Sequence, residues 1–381
     1  MMKSLNIIEA IFWYCSMSGK LLYKKVIESP KNFYDIEVSD TNNYYANGIC
    51  VHNCKGWSSQ QGKNLLKLKD FKYKVACTGT LIMNNPLDAY VPLKWIEAEN
   101  STVTNFKHQY CIFGGIGGKE IVGFKNLDIL KDVIENCSLR RTKDSAGLDL
   151  PPKTVINEYV DMSDEQSAFY TAVKNGVKSE CDKIQLNGKN LLALTTRLRQ
   201  ATSCPSVLTS QDISSAKIDR CVELVEELVS QGEKVVIFST FKEPVYRLAE
   251  LLSKYNPVLG TGDMQEDVVS SNMDKFQNED KYKLFIATSS KCGTGFTLNR
   301  ARYMICIDCP WTSALQQQIE DRIHRVGSTQ PVFIYRLICN ETIDVKVQEI
   351  LETKKALGDF IVDDEYDAET LEILKKYIRE L

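Results

Sequence analysis

The sequence predicts an α/β protein built on doubly wound parallel sheets, preceded by a small all-β segment. Three observations carry this. After Cys54, apolar runs of strand length alternate with amphipathic stretches of helix length, the pattern of parallel strands joined by helical crossovers. Residues 21–51 instead alternate apolar and polar in short runs. Those runs are broken by Ser29-Pro30, Asp40-Thr41-Asn42 and Asn47-Gly48, as in antiparallel hairpins. Finally, 381 residues with 43% hydrophobic and 25% charged content suffice for two or three cored domains.

Composition limits the partners. A net charge of −3 gives no global field for nucleic acid, so any such contact rests on local basic clusters. Thirteen Cys without a regular framework read as reduced thiols in a cytoplasmic setting. The pair Cys306 and Cys309 ends an apolar run and reads as core. The run Ile7 to Tyr14 is interrupted by Glu9 and too short to span a bilayer, so neither signal peptide nor membrane anchor is expected.

The elements follow in order. Lys74-Val75-Ala76-Cys77 reads as a buried strand and Pro86 to Trp95 as a helix. Ile112 to Gly118 is Gly-rich but lacks the GxxxxGK[ST] spacing of a phosphate loop, so it reads as a turn. Leu139 to Lys143 is a basic cluster, Leu150 to Lys153 a break, and residues 163–210 mainly helical. A second α/β unit starts near Ala216. It comprises helix Ile218 to Val229, strand Lys234 to Ser239, helix Val245 to Leu252, and strands Lys283 to Ala287, Tyr303 to Ile307 and Val332 to Leu337. A helix from Ser313 precedes the last strand. The expected segments are 1–53 (all-β), 54–160 (part of a first α/β lobe), 161–215 (helical insertion and linker), 216–350 (a second lobe) and 351–381 (an acidic helical tail).

Two stretches carry chemistry. The first is His52-Asn53-Cys54. The Asn53 carboxamide nitrogen can attack its own carbonyl carbon and close a succinimide, releasing Cys54 with a free amine. The His52 imidazole is suited to assist at the scissile amide, and the Cys54 thiol can carry an acyl group as a thioester. Cys50, His52 and Cys54 are also competent metal ligands. However, neighbouring residues of an extended segment face opposite ways and no second ligand pair follows, so no metal site is expected. The second stretch is Gln318 to Gly327. There Gln318, Arg322 and Arg325, at i, i+4 and i+7, are expected on one helical face. An amide and two guanidinium groups on one face suit the charge of a transferring phosphoryl group, whereas a solvated helix with Asp–Arg pairs is the alternative. His324 lies off that face and reads as a structural contact.

Both stretches resemble known families. Tyr34-Asp35-Ile36-Glu37-Val38 and Asn43 to Asn53 resemble the two C-terminal blocks of inteins, which are β-rich. Inteins usually carry a further His where Asn42 or Asn43 stands, so assistance to Asn53 rests on His52. Leu139-Arg140-Arg141, Leu198-Arg199-Gln200, Phe238-Ser239, Gly293-Thr294-Gly295, Pro310 to Gly327 and Thr78-Gly79-Thr80 resemble the Swi/Snf-type DNA translocases of helicase superfamily two. In this chain Leu81 stands where that family usually has Pro, and Ser328 where it usually has Gln.

The resemblance implies two RecA-like lobes, part of the first and all of the second being present here, with ATP and Mg²⁺ as cofactors and double-stranded DNA as partner. It implies Arg322 and Arg325 as arginine fingers, and Gly293, Gly295, Gln318 and Asp321 as nucleotide-side residues. Thr78, Gly79, Thr80, Arg140 and Arg141 would couple ATP to DNA. The family's phosphate loop and metal-binding carboxylates do not occur in this chain, so by itself it is expected not to hydrolyse ATP. The resulting expectation is a precursor that splices at Asn53/Cys54, in trans with a separate N-terminal half. The alternatives are a non-enzymatic DNA-binding or scaffolding relic, and a truncated reading of a contiguous intein-containing gene.

Overall fold

Antiparallel pairing at the start of the chain follows the alternation seen in the sequence. Strand β1 (Ala10–Cys15) pairs with β2 (Leu21–Ile27) and with β3 (Asn43–Ala46), and β3 pairs with β4 (Ile49–His52), all antiparallel. The computed structural model describes the backbone of these four strands. It further describes residues 57, 59–67, 74–76, 81–82, 86–114, 117–118, 120–139, 150–181, 188–289, 297–311, 313–325, 327–357, 373 and 376–377. They fall into two units, Met1–Arg140 and Arg141–Leu381.

In the first unit, helix α1 (Gln60–Leu65) starts where the Ser59 hydroxyl accepts from the Gly62 amide at 2.9 Å. Strand β5 (Lys74–Ala76) then joins β4 in parallel, completing a sheet of order β2-β1-β3-β4-β5. A 3₁₀ turn at Pro86–Ala89 leads into α2 (Tyr90–Trp95). Helix α3 (Val103–Tyr110) is followed by the hairpin of β6 (Cys111–Gly114) and β7 (Glu120–Phe124), and then by α4 (Leu127–Cys137). The Gly-rich stretch is therefore a hairpin connection, with Gly117 and Gly118 at φ of +85° and +63°, a region open chiefly to glycine. Tyr90, Phe106 and Tyr110 interlock at ring distances of 5.1 and 4.6 Å and centre this unit's core.

The second unit is doubly wound. Strand β8 (Lys153–Val160) precedes two helices that pack on each other, α5 (Asp164–Cys181) and α6 (Gly188–Ser203). Next come α7 (Ala216–Ser230), β9 (Val235–Ser239), α8 (Lys242–Leu251), β10 (Val258–Gly260), α9 (Glu266–Asn278) and β11 (Leu284–Thr288). Strand β12 (Tyr303–Cys306), α10 (Ser313–Glu320), β13 (Val332–Cys339) and α11 (Ile343–Leu357) complete it. The strands form one parallel sheet of order β10-β11-β9-β12-β13-β8. Successive strand residues serve opposite faces. Val236, Phe238, Phe285, Met304 and Ile334 meet α6, α9, α10 and α11, while Val235, Ile237, Leu284, Ile286 and Ile305 meet α7 and α8.

Three elements depart from the sequence reading. Residues 153–160, assigned above to the first lobe, form β8 and pair along their whole length with β13 in the second unit. As an edge strand, β8 keeps an exposed face, including Tyr159 at 54%, so its pattern is not that of a buried parallel strand. Strand β10 has three residues and α9 carries two buried apolar side chains, Val269 and Phe276, so neither offers a strong periodic signal.

A buried ion pair ties the helical layer together. Lys217, 1% exposed at the start of α7, lies 2.6 Å from Asp344 at the start of α11. Asp344 also accepts from the Thr202 hydroxyl at 3.1 Å and the Cys339 amide at 3.2 Å. Burial opposes the charge on Lys217, but the Asp344 carboxylate overcomes that and raises its pKa. Lys217→Met should therefore destabilise the chain by about 3–5 kcal/mol, because Asp344 is left charged and buried. Lys217→Met/Asp344→Asn should recover much of the loss. Urea unfolding followed by circular dichroism checks both, and equal stabilities for the two variants would refute the assignment.

Candidate functional site at the strand ends

Strands β9 and β12 are neighbours, yet the chain leaves them in opposite directions, toward β10 and toward β13. In open α/β sheets the crevice at the carboxyl ends of such strands is where ligands bind. Here three strand ends converge. Asp308, 3% exposed just past β12, accepts from the Ser239 hydroxyl at 2.6 Å and the Thr240 amide at 2.7 Å, both through Oδ2. Its Oδ1 is buried with no hydrogen-bond partner. The Ser239 hydroxyl also accepts from the Phe241 amide at 3.0 Å, and the Ser239 carbonyl accepts from the Ser289 amide at 2.8 Å.

Arg199 of α6 underlies this edge at 3% exposure. Its guanidinium donates to the Cys309 carbonyl, reaches the Thr240 hydroxyl at 3.5 Å, and stands 4.8 Å from the Trp311 ring centre and 5.7 Å from that of Phe241. Three stretches quoted from the sequence, around Arg199, Ser239 and Pro310, thus meet in one place. Cys306 and Cys309 are buried, which pushes the Cys309 thiol up to about 11 and Cys306 up as well, so neither is a ready nucleophile. Among the described residues no group of His, Cys, Asp and Glu is arranged to hold a metal ion.

The expected helical face of Gln318, Arg322 and Arg325 is corrected by the structure. Helix α10 ends at Glu320, so only Gln318 of the three is helical, with Asp321 the first residue beyond it. The chain tightens there: the Arg322 amide donates to the Ile319 carbonyl at 3.0 Å, three residues back, and the Arg322 carbonyl accepts from the Leu298 amide at 2.9 Å. Arg322 and Arg325 therefore sit in a turn, both half-buried. Ser328 closes it. Its hydroxyl donates to the Ile323 carbonyl at 2.7 Å and accepts from the Arg325 amide at 3.2 Å, while its own amide donates to the Arg325 carbonyl at 2.9 Å. Gly327 has φ +99°, and a Cβ there would lie 2.9 Å from Asn299 Nδ2, so the turn needs glycine. His324 makes the structural contact expected of it, with Nε2 2.8 Å from the Pro151 carbonyl oxygen.

Glu320 anchors the helix end. It is 2% exposed, and its carboxylate lies 2.9 Å from Lys153 of β8, against Arg336 of β13, and 2.8 Å from the Gln316 amide nitrogen. Burial alone would raise its pKa, but Arg336 and Lys153 outweigh this and hold it below the ordinary value. Sequence reading missed Glu320, Asp308 and the role of Arg199. The available signal was a charged residue set among apolar ones, as at Ile307-Asp308-Cys309. Asn53, Cys54, Thr78, Gly79, Thr80, Arg140, Arg141, Gly293 and Gly295 lie outside the described residues, as does the side chain of His52, whose backbone ends β4.

Comparison with known proteins gives two adjoining matches, the SNF2-related domain at residues 51–207 and the helicase conserved C-terminal domain at 216–327. Bacillus subtilis YwqA, which carries an ATP-dependent helicase/translocase name, is 26% identical over 84% of this chain and 36% of its own length. An uncharacterized ATP-dependent helicase of Mycoplasma genitalium is 26% identical over 86% of this chain and 31% of its own. The chain thus spans about a third of the length of these relatives. The Sulfolobus solfataricus SWI2/SNF2 ATPase core in complex with double-stranded DNA is similar with a TM-score of 0.52 and 25% identity, over 87% of this chain and 71% of that one. The chain therefore resembles SNF2-family helicases across two consecutive regions, the SNF2-related domain and the helicase conserved C-terminal domain.

Proposed function

We propose that the chain is the C-terminal part of an ATP-dependent translocase acting on double-stranded DNA, and that it is joined to its upstream part by protein splicing at Asn53/Cys54. The arginine turn carries the translocase reading. Glu320, Ser328 and Gly327 hold Arg322 and Arg325 in a closed turn beside the second unit's sheet. Two planar guanidinium groups carried on a turn whose backbone is held in this way suit the charge that builds on a γ-phosphoryl group as it transfers. The solved archaeal relative supports duplex DNA as the partner. ATP and Mg²⁺ would be held chiefly by the upstream part, with Gly293, Gly295, Gln318 and Asp321 on the nucleotide side and Thr78, Gly79, Thr80, Arg140 and Arg141 toward DNA.

The splicing reading rests on the order His52-Asn53-Cys54 and on the two intein-like blocks before it. The SNF2-related match begins at residue 51, beside the proposed junction, and antiparallel strands precede it. In this reaction the Asn53 side-chain nitrogen displaces the Cys54 amine from the Asn53 carbonyl. The released amine then takes over the acyl group that the Cys54 thiol carries as a thioester, restoring the thiol and leaving an ordinary amide. The same chemistry serves whether the upstream part arrives on this polypeptide or on another.

Two outcomes follow. With the upstream intein half and its flanking segment supplied, the product should lose residues 1–53 and gain the flanking segment on Cys54. Asn53→Ala should block release and Cys54→Ala should block ligation; unchanged ligation by Asn53→Ala in intact-mass spectrometry would overturn the splicing reading. In the joined protein, Arg325→Ala should lower DNA-stimulated ATP turnover by about 10³–10⁵, the usual worth of an arginine finger. DNA binding should fall little, since it rests on many phosphate contacts, and Arg325→Lys should rescue poorly. Steady-state turnover near wild type in Arg325→Ala would refute the finger role.

A further inference from the structure

Helix α1 and strand β5 lie on the retained side of the Asn53/Cys54 junction, and both are anchored there. Leu65 of α1 is buried in the first unit's core, and Ala76 of β5 packs against the same core. Lys74 of β5 forms an ion pair with Glu97, beyond α2. Trp57, shortly after Cys54, lies under Lys107 of α3, whose ammonium stands 3.7 Å from the ring centre.

The strand that pairs with β5 lies on the other side of the junction. Strand β4 runs parallel to it, with Cys50, Val51 and His52 opposite Lys74, Val75 and Ala76. Strand β4, helix α1 and strand β5 therefore form a strand–helix–strand unit, the ordinary way of joining parallel neighbours. The pairings before it in this sheet are all antiparallel. The junction cuts the unit between its first strand and its helix. The SNF2-related match begins at residue 51, inside β4, so that match too includes the end of this strand.

Release of residues 1–53 strips β5 of the strand it pairs with among the described residues. Because β5 closes the sheet order, its backbone donors and acceptors on that side are then left open. The residues ligated to Cys54 arrive at the covalent position that β4 vacates. They are tethered to the start of the same unit, which makes their local concentration high. Those two to five places before Cys54 stand where Ile49–His52 stood.

Resting on the splicing reading, we propose that β4 is a placeholder strand. It occupies the parallel slot beside β5 in the precursor, and splicing hands that slot to the upstream flanking segment. The partner this edge fits is an extended segment of aliphatic and β-branched residues, free of proline, two to five places before Cys54.

Amide hydrogen exchange reads the slot in two settings. In the intact chain, Val51→Pro should speed exchange at 74–76 by about 5-fold for each backbone hydrogen bond lost. Peptides from β9 and β11 should keep their rates. Val51→Gly should act in the same direction, which covers the case in which the proline variant folds poorly. Unchanged exchange at 74–76 in a folded variant overturns the placeholder role, whatever the outcome of splicing. In the spliced product, made with the upstream intein half and its native flank, exchange at 74–76 should return to the slow rate of the precursor. A flank with glycine at those four places, its residue next to Cys54 kept, should leave these amides exchanging as fast as in Val51→Pro. Fast exchange with the native flank, or slow exchange with both flanks, overturns the hand-over while leaving the splicing reading intact. Absence of any ligated product overturns the splicing reading and the hand-over with it.

Discussion

A single carboxylate, Glu320, joins three parts of the second unit that are far apart in sequence. Lys153 comes from the edge strand β8, Arg336 from β13, and Glu320 closes α10 between them. Burying a carboxylate costs several kcal/mol, and two cations with one amide donor offset it. The charged form is thereby favoured, and the pKa lies below its ordinary value of 4.5. The bridge thus contributes its full stability above that pH and loses it as the pH falls through the lower, folded value. Its structural consequence is positional. With the last helical residue fixed, the chain beyond it has less freedom; the Ser328 hydroxyl restricts it further, and Gly327 supplies the positive φ that the turn requires.

The polar strand-end edge obeys the same logic on a smaller scale. The body of the sheet is apolar on both faces, so its polar groups concentrate where the strands finish. The Ser239 hydroxyl and the Thr240 amide both donate to Asp308 there, and Arg199 ties this edge to α6. Helix α10 runs from this edge to the Glu320 bridge, so the two constellations are mechanically continuous. Ser328 is small enough to bond within the turn rather than reach out of it.

Much of the second unit was legible in the sequence because its central strands are uninterrupted apolar runs. Val235 to Ser239 and Leu284 to Thr288 are buried throughout, and their helices alternate with them. The failures have physical causes. Edge strand β8 mixes polar and apolar residues because one side meets solvent. Continuing α10 through Arg325 was reasonable on spacing, since the sequence from Gln318 to Arg325 contains neither Gly nor Pro. Its end is set by tertiary bonds, from Leu298 to the Arg322 carbonyl and from Ser328 to Ile323, which no local pattern encodes. The partners of Arg199 and Glu320 lie more than a hundred residues away in the case of Cys309 and Lys153, so their roles emerge only from the fold.

The dependence of the arginine turn on Glu320 is most directly tested by amide exchange at 321–325 in Glu320→Gln. The substitution preserves shape and removes the charge, leaving Lys153 and Arg336 without their counter-ion. Exchange at these amides should accelerate relative to wild type, while amides of the buried strands β9 and β11 keep their protection rank above them. Unchanged exchange at 321–325 in a folded Glu320→Gln chain would contradict the account.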